Sequence, residues 1–313
     1  MTRVLITGAG GFIGQHLVRR LVEDGSEVWT VGIQEEGTGA VFADGVRSIE
    51  LDIRSEELHG VIADASPDVV FHLAAQSYPM KSWEFPQMTI DANIFGTHNL
   101  LAAVQSSTPD AAVVLASSSA VYGVFPEESL PVKEESSLVP LHPYGVTKLA
   151  TESVARMFAE VHGLRCVLAR IFNTIGPGKQ GDVVGDFCNR LVALESDGGE
   201  HAKLKVGNLE SKRAFVDVRD TVRALLLLAE KGQSGEAYNI SGSRPVAIVE
   251  ILQTLLKYVN VQVDVSKDVD LLRPADEPVI WGDNTKIRAL GDWEADILLD
   301  QTLREALEWR RNN

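Results

Sequence analysis

Tyr144 and Lys148 stand four residues apart, a spacing that puts a phenol and an ammonium on one face of a helix. An ammonium beside a phenol favours the phenolate, so the pair should bring the tyrosine down from its usual pKa of ~10 toward neutrality. Ser118 lies 26 residues upstream, within Ser117-Ser118-Ser119-Ala120-Val121-Tyr122-Gly123. Its hydroxyl would hold a reacting oxygen in line while Tyr144 passes a proton to or from a hydroxyl or ketone. A bare Tyr-x-x-x-Lys arises by chance on many helices. A serine at a strand end before it and a glycine motif at the start of the chain give this one its meaning.

The glycine motif is Thr7-Gly8-Ala9-Gly10-Gly11-Phe12-Ile13-Gly14, with Gly8, Gly11 and Gly14 at regular spacing. Glycines permit a tight turn and let the backbone approach a pyrophosphate at a helix N-terminus. Many turns are glycine-rich, but here an apolar run precedes the motif and an amphipathic helix (Ile13, Leu17, Val18, Leu21) follows. The reading is a nicotinamide dinucleotide site. NAD-selective versions place an acid about 20 residues on, at the end of the second strand. That position is Gly32, followed by Ile33 and Gln34, while Glu35 and Glu36 fall past the expected strand end. With no carboxylate to repel a 2′-phosphate, and no Arg to attract one, NADP(H) is favoured and NAD(H) remains admitted. Asp52, in Leu51-Asp52-Ile53, would present its carboxylate to the adenine amino group.

These residues need a scaffold of strands ending beside helices. Short apolar runs at Val4 to Ile6, Glu27 to Val31, Val69 to Leu73, Val113 to Ala116 and Arg165 to Ile171 read as buried strands. Helical patterns lie between them at Gly14 to Asp24, Glu56 to Ala65, Thr89 to Ser106 and Tyr144 to His162. The alternation predicts an α/β fold, a Rossmann-type doubly wound parallel sheet with a smaller α/β substrate-binding lobe. The dinucleotide-binding lobe should span residues 1–173, with 214–240 returning to it. Residues 174–213 and 241–313 should form the smaller lobe. Asp197 to Glu210 reads as a polar loop, and Lys81, Ser82 and Trp83 as loop residues that either border the substrate or lie exposed on the surface.

Composition narrows the partners. The chain has 313 residues, 45% of them hydrophobic, which places it among folded rather than disordered sequences. Its 44 acids against 29 bases leave a net charge of −15, which argues against nucleic acid or an anionic membrane as partner. Cys166 and Cys188 form no disulfide framework, and the seven histidines show no metal-ligand spacing, so no metal is expected. His72 reads as a packed core residue. No apolar run approaches the ~20 residues that span a bilayer, and a strand so near the first Met leaves no room for a signal peptide, so the expected location is cytoplasmic.

At this point the chain resembles the extended short-chain dehydrogenase/reductase family of nucleotide-sugar dehydratases, epimerases and reductases. The glycine motif, Leu51-Asp52-Ile53, His72-Leu73-Ala74-Ala75-Gln76, Asn93-Ile94-Phe95-Gly96-Thr97, Pro143-Tyr144-Gly145-Val146-Thr147-Lys148 and Arg170-Ile171-Phe172-Asn173 carry the resemblance over nearly the whole chain. It implies that Ser118, Tyr144 and Lys148 are catalytic. It further implies that Gly8, Gly11, Phe12, Ile13, Gly14, Asp52, Ile53, Leu73, Ala74 and Ala75 surround the cofactor, with Tyr144 and Lys148 reaching its nicotinamide ribose. Asn93 would help structure the site, and Asn173 would meet the nucleotide-sugar diphosphate. The helices over Thr89 to Ser106 and Tyr144 to His162 would form a four-helix homodimer interface.

Lys205 to Asp220 and Leu272 to Pro278 resemble the GDP-mannose branch. Arg213 and Arg273 are then expected to clamp the diphosphate with bidentate guanidinium forks, with Ser119 and Asp276 also on the substrate. In the 4,6-dehydratases that the chain resembles, an acid stands where this chain has Ala120, and Ser119 is too weak an acid to replace it. The resemblance thus implies reduction of the C4 ketone of a GDP-4-keto-6-deoxy sugar. The runner-up is an NAD-dependent 4-epimerase, followed by a 4,6-dehydratase and a non-catalytic dinucleotide sensor.

Overall fold

The computed structural model describes residues 1–33, 42, 44–197, 199, 201–271 and 278–313. The first half alternates β1 (Arg3–Thr7), α1 (Phe12–Glu23), β2 (Glu27–Gly32), β3 (Arg47–Glu50), α2 (Leu58–Ala65) and β4 (Val69–His72). Two short helices follow, α3 (Pro79–Glu84) and α4 (Pro86–Ile90), then a π-helical turn over Asp91–Phe95 that leads into α5 (Gly96–Ser107). Next come β5 (Ala112–Ser118), α6 (Pro143–His162), β6 (Arg165–Ile171) and the short β7 (Asn173–Ile175). The second half holds α7 (Val183–Ser196), β8 (His201–Val206), β9 (Lys212–Arg213), β10 (Phe215–Asp217), α8 (Val218–Lys231) and β11 (Ala237–Ile240). It ends with β12 (Val246–Ala247), α9 (Ile248–Leu256), β13 (Gln262–Lys267), β14 (Val279–Ile280), α10 (Thr285–Arg288) and α11 (Leu299–Asn312).

Seven parallel strands form the main sheet in the order β11-β6-β5-β4-β1-β2-β3. Side-chain alternation sends successive residues to opposite faces. Val4 and Ile6 of β1 join α1 and α8 in one core, while Leu5 joins α2, α5 and α6 in the other. Both faces are therefore covered, as the runs of Val, Ile and Leu require. The strand order reverses between β1 and β4, which opens a crevice at their carboxyl ends. A third core joins α7, α9 and α11 beyond the sheet, through Phe187, Leu191, Ile251, Leu255, Leu303 and Leu307.

Three expectations from the sequence are corrected. Residues 201–206 are not loop but β8, paired in parallel with β13. Leu204 and Val206 turn inward while Lys203 and Lys205 face out, so the lysines concealed an alternating strand. The helix expected over Thr89 to Ser106 is divided into α4, the π turn and α5. Lys81, Ser82 and Trp83 belong to α3 rather than to a loop.

Candidate active site

Gly8 ends β1 with φ +72°, a conformation side chains disfavour, and a Cβ there would lie 2.6 Å from the Ala74 nitrogen. This contact sets the turn directly against the end of β4. Gly14 is equally constrained, since its Cβ would stand 2.6 Å from the carbonyl oxygens of Gly8 and Ala9. Gly11 caps α1 with no side-chain bond, and the first turn of the helix carries no acid. The backbone N–H groups of Phe12 and Ile13 therefore begin a helix whose positive end faces the crevice. Such a cradle fits a dinucleotide pyrophosphate.

The adjoining strand end is held by a hydrogen-bonded chain. His72 is buried, with Nδ1 2.7 Å from Thr7 Oγ1 and Nε2 2.8 Å from Thr97 Oγ1. Burial first, and the Lys148 charge second, bring its pKa down to about 3, so the ring is neutral. Thr97 in turn donates to the Asn93 carbonyl. Asn93 accepts from the Gln76 N–H at 2.8 Å and donates to Thr147 Oγ1 at 2.9 Å, which ties the loop after β4 to α6. His72 is thus the core residue the sequence suggested, and Asn93 the clip.

Asp52 is engaged locally. Its carboxylate accepts from Arg54 Nε at 3.0 Å, Arg54 Nη2 at 2.6 Å and the Arg54 backbone at 2.9 Å. These bonds hold its carboxyl below the usual range. Ile53 is buried, Leu73 donates to the Thr7 carbonyl at 3.1 Å, and Ala74 donates to Thr7 Oγ1 at 3.3 Å. Ala75 follows directly on the same strand end.

Ser118 and Tyr144, two of the three residues expected to be catalytic, line a cavity of about 280 Å³ together with Ser119, Ala120, Asn173 and Lys179, among others. Ser118 is the last residue of β5, and Tyr144 sits in the first turn of α6. Pro143 opens α6, where a missing N–H costs nothing, and His142 Nδ1 accepts the Gly145 N–H at 3.0 Å. The His142 ring also stacks on Tyr144 with centroids 5.9 Å apart. Lys148 lies one turn further on, buried, and its Nζ donates to the Ala116 carbonyl at 2.8 Å.

The electrostatics differ from the expectation of a lowered tyrosine pKa. Burial raises the Tyr144 phenol, and the Ser118 hydroxyl beside it only partly opposes that. Lys148 Nζ stands 5.9 Å from the centre of the Tyr144 ring and points to the backbone instead. Burial brings Lys148 down to about 8, against the pull of Glu152. Tyr144 accordingly keeps its proton, the form a proton donor needs.

Several positioning residues carry little signal in the sequence. Glu152, one turn beyond Lys148, is fully buried and accepts from Ser117 Oγ at 2.6 Å and from Arg170 Nε and Nη2 at 2.9 and 2.8 Å. Arg170 also donates to Tyr122 OH at 2.9 Å, and Tyr122 donates to Asn239 Oδ1 at 2.6 Å. This network braces β5, β6, β11 and α6 beneath the site.

Among the substrate-directed residues, Asn173 has a buried Nδ2 with no hydrogen-bond partner among the described residues, beside the cavity. A buried donor left in this way calls for an acceptor. Arg213 lies on β9 in register with Ile280, which lines the cavity, and its Nη1 donates to the Lys212 carbonyl at 2.9 Å. Arg213 itself is not part of the cavity wall. Arg273 and Asp276 lie outside the described residues. Ala120 does line the cavity. The one carboxyl on the wall among the described residues is Asp182, which caps α7 by accepting the Gly185 N–H at 2.8 Å. Burial raises its pKa. Both cysteines are buried, and burial pushes their thiols up to about 12, so they are inert. The described residues contain no metal-binding cluster and no helix long and apolar enough to cross a membrane.

A parallel sheet with a glycine-lined crevice at its strand reversal, beside a Ser-Tyr-Lys cavity, defines a dinucleotide-dependent enzyme of the short-chain dehydrogenase type. The GDP-mannose 4,6 dehydratase family profile matches residues 5–306, and the chain belongs to that family of NAD(P)-dependent nucleotide-sugar enzymes. It is 30% identical to GDP-6-deoxy-D-mannose reductase of Pseudomonas aeruginosa over 98% of this chain and 97% of that protein. The structure of the Pseudomonas aeruginosa protein RMD complexed with NADPH superposes with a TM-score of 0.85 at 28% identity, covering 100% of this chain and 99% of that one. UDP-glucose 4-epimerase of Thermotoga maritima, solved with UDP-glucose, gives a TM-score of 0.89 at 29% identity, covering 99% and 98%.

Proposed function

We propose that this protein reduces the C4 ketone of a GDP-4-keto-6-deoxy sugar, converting GDP-4-keto-6-deoxy-D-mannose to GDP-D-rhamnose. The observation that carries the reading is Ala120 on the wall of the catalytic cavity, where elimination of water would need a second acid or base. Asp182, the carboxyl on the same wall, is read as a helix cap, since its Oδ1 accepts the Gly185 N–H. The 30% identity to a GDP-6-deoxy-D-mannose reductase supports the same reading.

Gly8, Gly11, Phe12, Ile13 and Gly14 would hold the dinucleotide, Leu73, Ala74 and Ala75 would border its ribose, and Ile53 with Asp52 its adenine. Bound NADPH would supply the hydride, and NADH remains admitted, because Gly32 offers no carboxylate to repel a 2′-phosphate. The residues of the chain do the rest. Ser118 orients the ketone oxygen, and Tyr144 donates its phenolic proton to that oxygen as negative charge develops. Lys148 stands behind Tyr144 and reaches the ribose. Ser119 and Asn173 contact the sugar diphosphate region, where the unsatisfied Asn173 amide would gain an acceptor. Arg213 and Arg273 would clamp that diphosphate, with Asp276 also on the substrate. Residues 174–213 and 241–313 thus act as a substrate lobe that holds the ketone in reach, an effect on orientation.

The second reading, a 4-epimerase, is favoured by the TM-score of 0.89 to a UDP-glucose 4-epimerase. Thermal-shift titration with GDP- and UDP-sugars separates the two. Protection by GDP-sugars and not by UDP-sugars is expected, and the reverse would move the assignment to the epimerase. The protein would work in the cytoplasm as a homodimer, its α5 and α6 pairing with their copies in a four-helix bundle. Val146, Met157 and Val161, exposed along α6, support that arrangement, and sedimentation at a dimer mass would test it.

A further inference from the structure

The segment from Gly176 to Gly181 is a strap between the two halves of the site. It leaves β7 through glycines at positive φ (Gly176 at 147°, Gly178 at 91° and Gly181 at 75°) and ends on the α7 cap, Asp182. It touches both halves, with Gly178 against Trp309 of α11 and Gly176 against Val218 of α8. The Pro177 carbonyl lies 2.9 Å from His16 Nε2 of α1, and Gly181 sits so close to the Tyr78 ring that a Cβ would be 2.7 Å away.

Lys179 is at the centre of this strap. Its side chain lines the catalytic cavity, yet its Nζ lies 5.1 Å from the centre of the Phe12 ring. Phe12 is the first residue of α1, directly after the uncapped Gly11. The ammonium makes no hydrogen bond or ion pair among the described residues; it faces the Phe12 ring and, on the same wall, the charge of the Asp182 carboxyl. The first turn of α1 carries no acid, so an anion seated there would meet both the helix end and this ammonium. On the cavity side, the unpartnered amide of Asn173 also awaits an acceptor.

We propose that Lys179 is a diphosphate-binding residue, which grips the pyrophosphate of the dinucleotide together with the first turn of α1 and draws the Gly176–Gly181 strap over the site. The proposal rests on the dinucleotide reading above and adds a cation from outside the glycine motif. The same chemistry would serve the diphosphate of the nucleotide sugar, so the test must distinguish the two sources.

The experiment is calorimetric titration of wild type, Lys179→Met and Lys179→Arg with NADPH and, separately, with GDP, alongside the thermal midpoint of each unliganded protein. Loss of a charge-assisted bond should weaken NADPH about tenfold in Lys179→Met. Lys179→Arg should recover most of that loss, and GDP affinity and the unliganded midpoints should stay as in wild type. Weakened GDP with unchanged NADPH would keep the diphosphate role and move it to the sugar nucleotide. Unchanged affinity for both ligands would overturn the proposal. So would a loss that Arg does not rescue and that follows a fallen midpoint. If wild type bound neither ligand, the dinucleotide reading would fail first and this role with it.

Discussion

The hydroxyl of Ser82 accepts the backbone N–H of Tyr144 at 3.1 Å while donating to the Pro79 carbonyl at 2.6 Å. The Tyr144 N–H is one of the groups that the start of a helix leaves without an internal partner. A serine on α3 therefore caps α6 from outside and fixes the backbone from which the phenol projects. His142 completes the cap at Gly145. Ser82→Ala should cost about 1 kcal/mol in urea unfolding. It should also lower kcat several-fold while NADPH affinity holds. An unchanged kcat would mean that α6 positions Tyr144 unaided.

Tyr144→Phe removes the proton donor and leaves the ring packing in place. Turnover should fall by about 10²–10⁴, with NADPH still bound. Single-turnover assays and a binding titration on the same preparation would check both halves. Near-normal turnover would mean that another group supplies the proton.

The sign of the acid response follows from His72. Its folded pKa of about 3 lies below the 6.5 of the free side chain, so the unfolded chain takes up the proton first. The stabilisation is full above pH 6.5 and is lost as pH falls toward 3, at about 1.4 kcal/mol per pH unit for one proton. Urea unfolding of wild type and His72→Gln between pH 7 and 5 should therefore differ in slope by about one proton. Equal slopes would show that His72 takes up its proton in the folded protein at the same pH as in the unfolded chain.

Much of this site was legible because its chemistry depends on local spacing. Gly8, Gly11 and Gly14 must be small where backbones meet, and Tyr144 and Lys148 must share a helix face. The supporting residues were not legible, because contacts between distant segments create them. Ser82 looks like a loop residue in the sequence, and the lysines of β8 like loop polarity. Only the fold brings Ser82 to Tyr144 and Arg170 to Glu152. The expected phenolate failed for a related reason, since spacing reports proximity and says nothing of burial.

Asp182 offers a sharp discrimination between reduction and elimination. Asparagine keeps an oxygen to accept the Gly185 N–H and removes the acid. Asp182→Asn should retain at least about half of wild-type kcat if capping is its role. A loss comparable to that of Tyr144→Phe would make Asp182 a second acid in the cavity and revive the dehydratase reading.

The most direct measurement supplies GDP-4-keto-6-deoxy-D-mannose, made by a separate dehydratase, and follows NADPH absorbance when the protein is added. The account predicts one NADPH oxidised per ketone consumed, with a GDP-6-deoxyhexose as product and no reaction with GDP-mannose. Conversion of GDP-mannose to the keto sugar by this protein alone, without net NADPH consumption, would contradict it, because Ala120 could not then be the position that decides the chemistry.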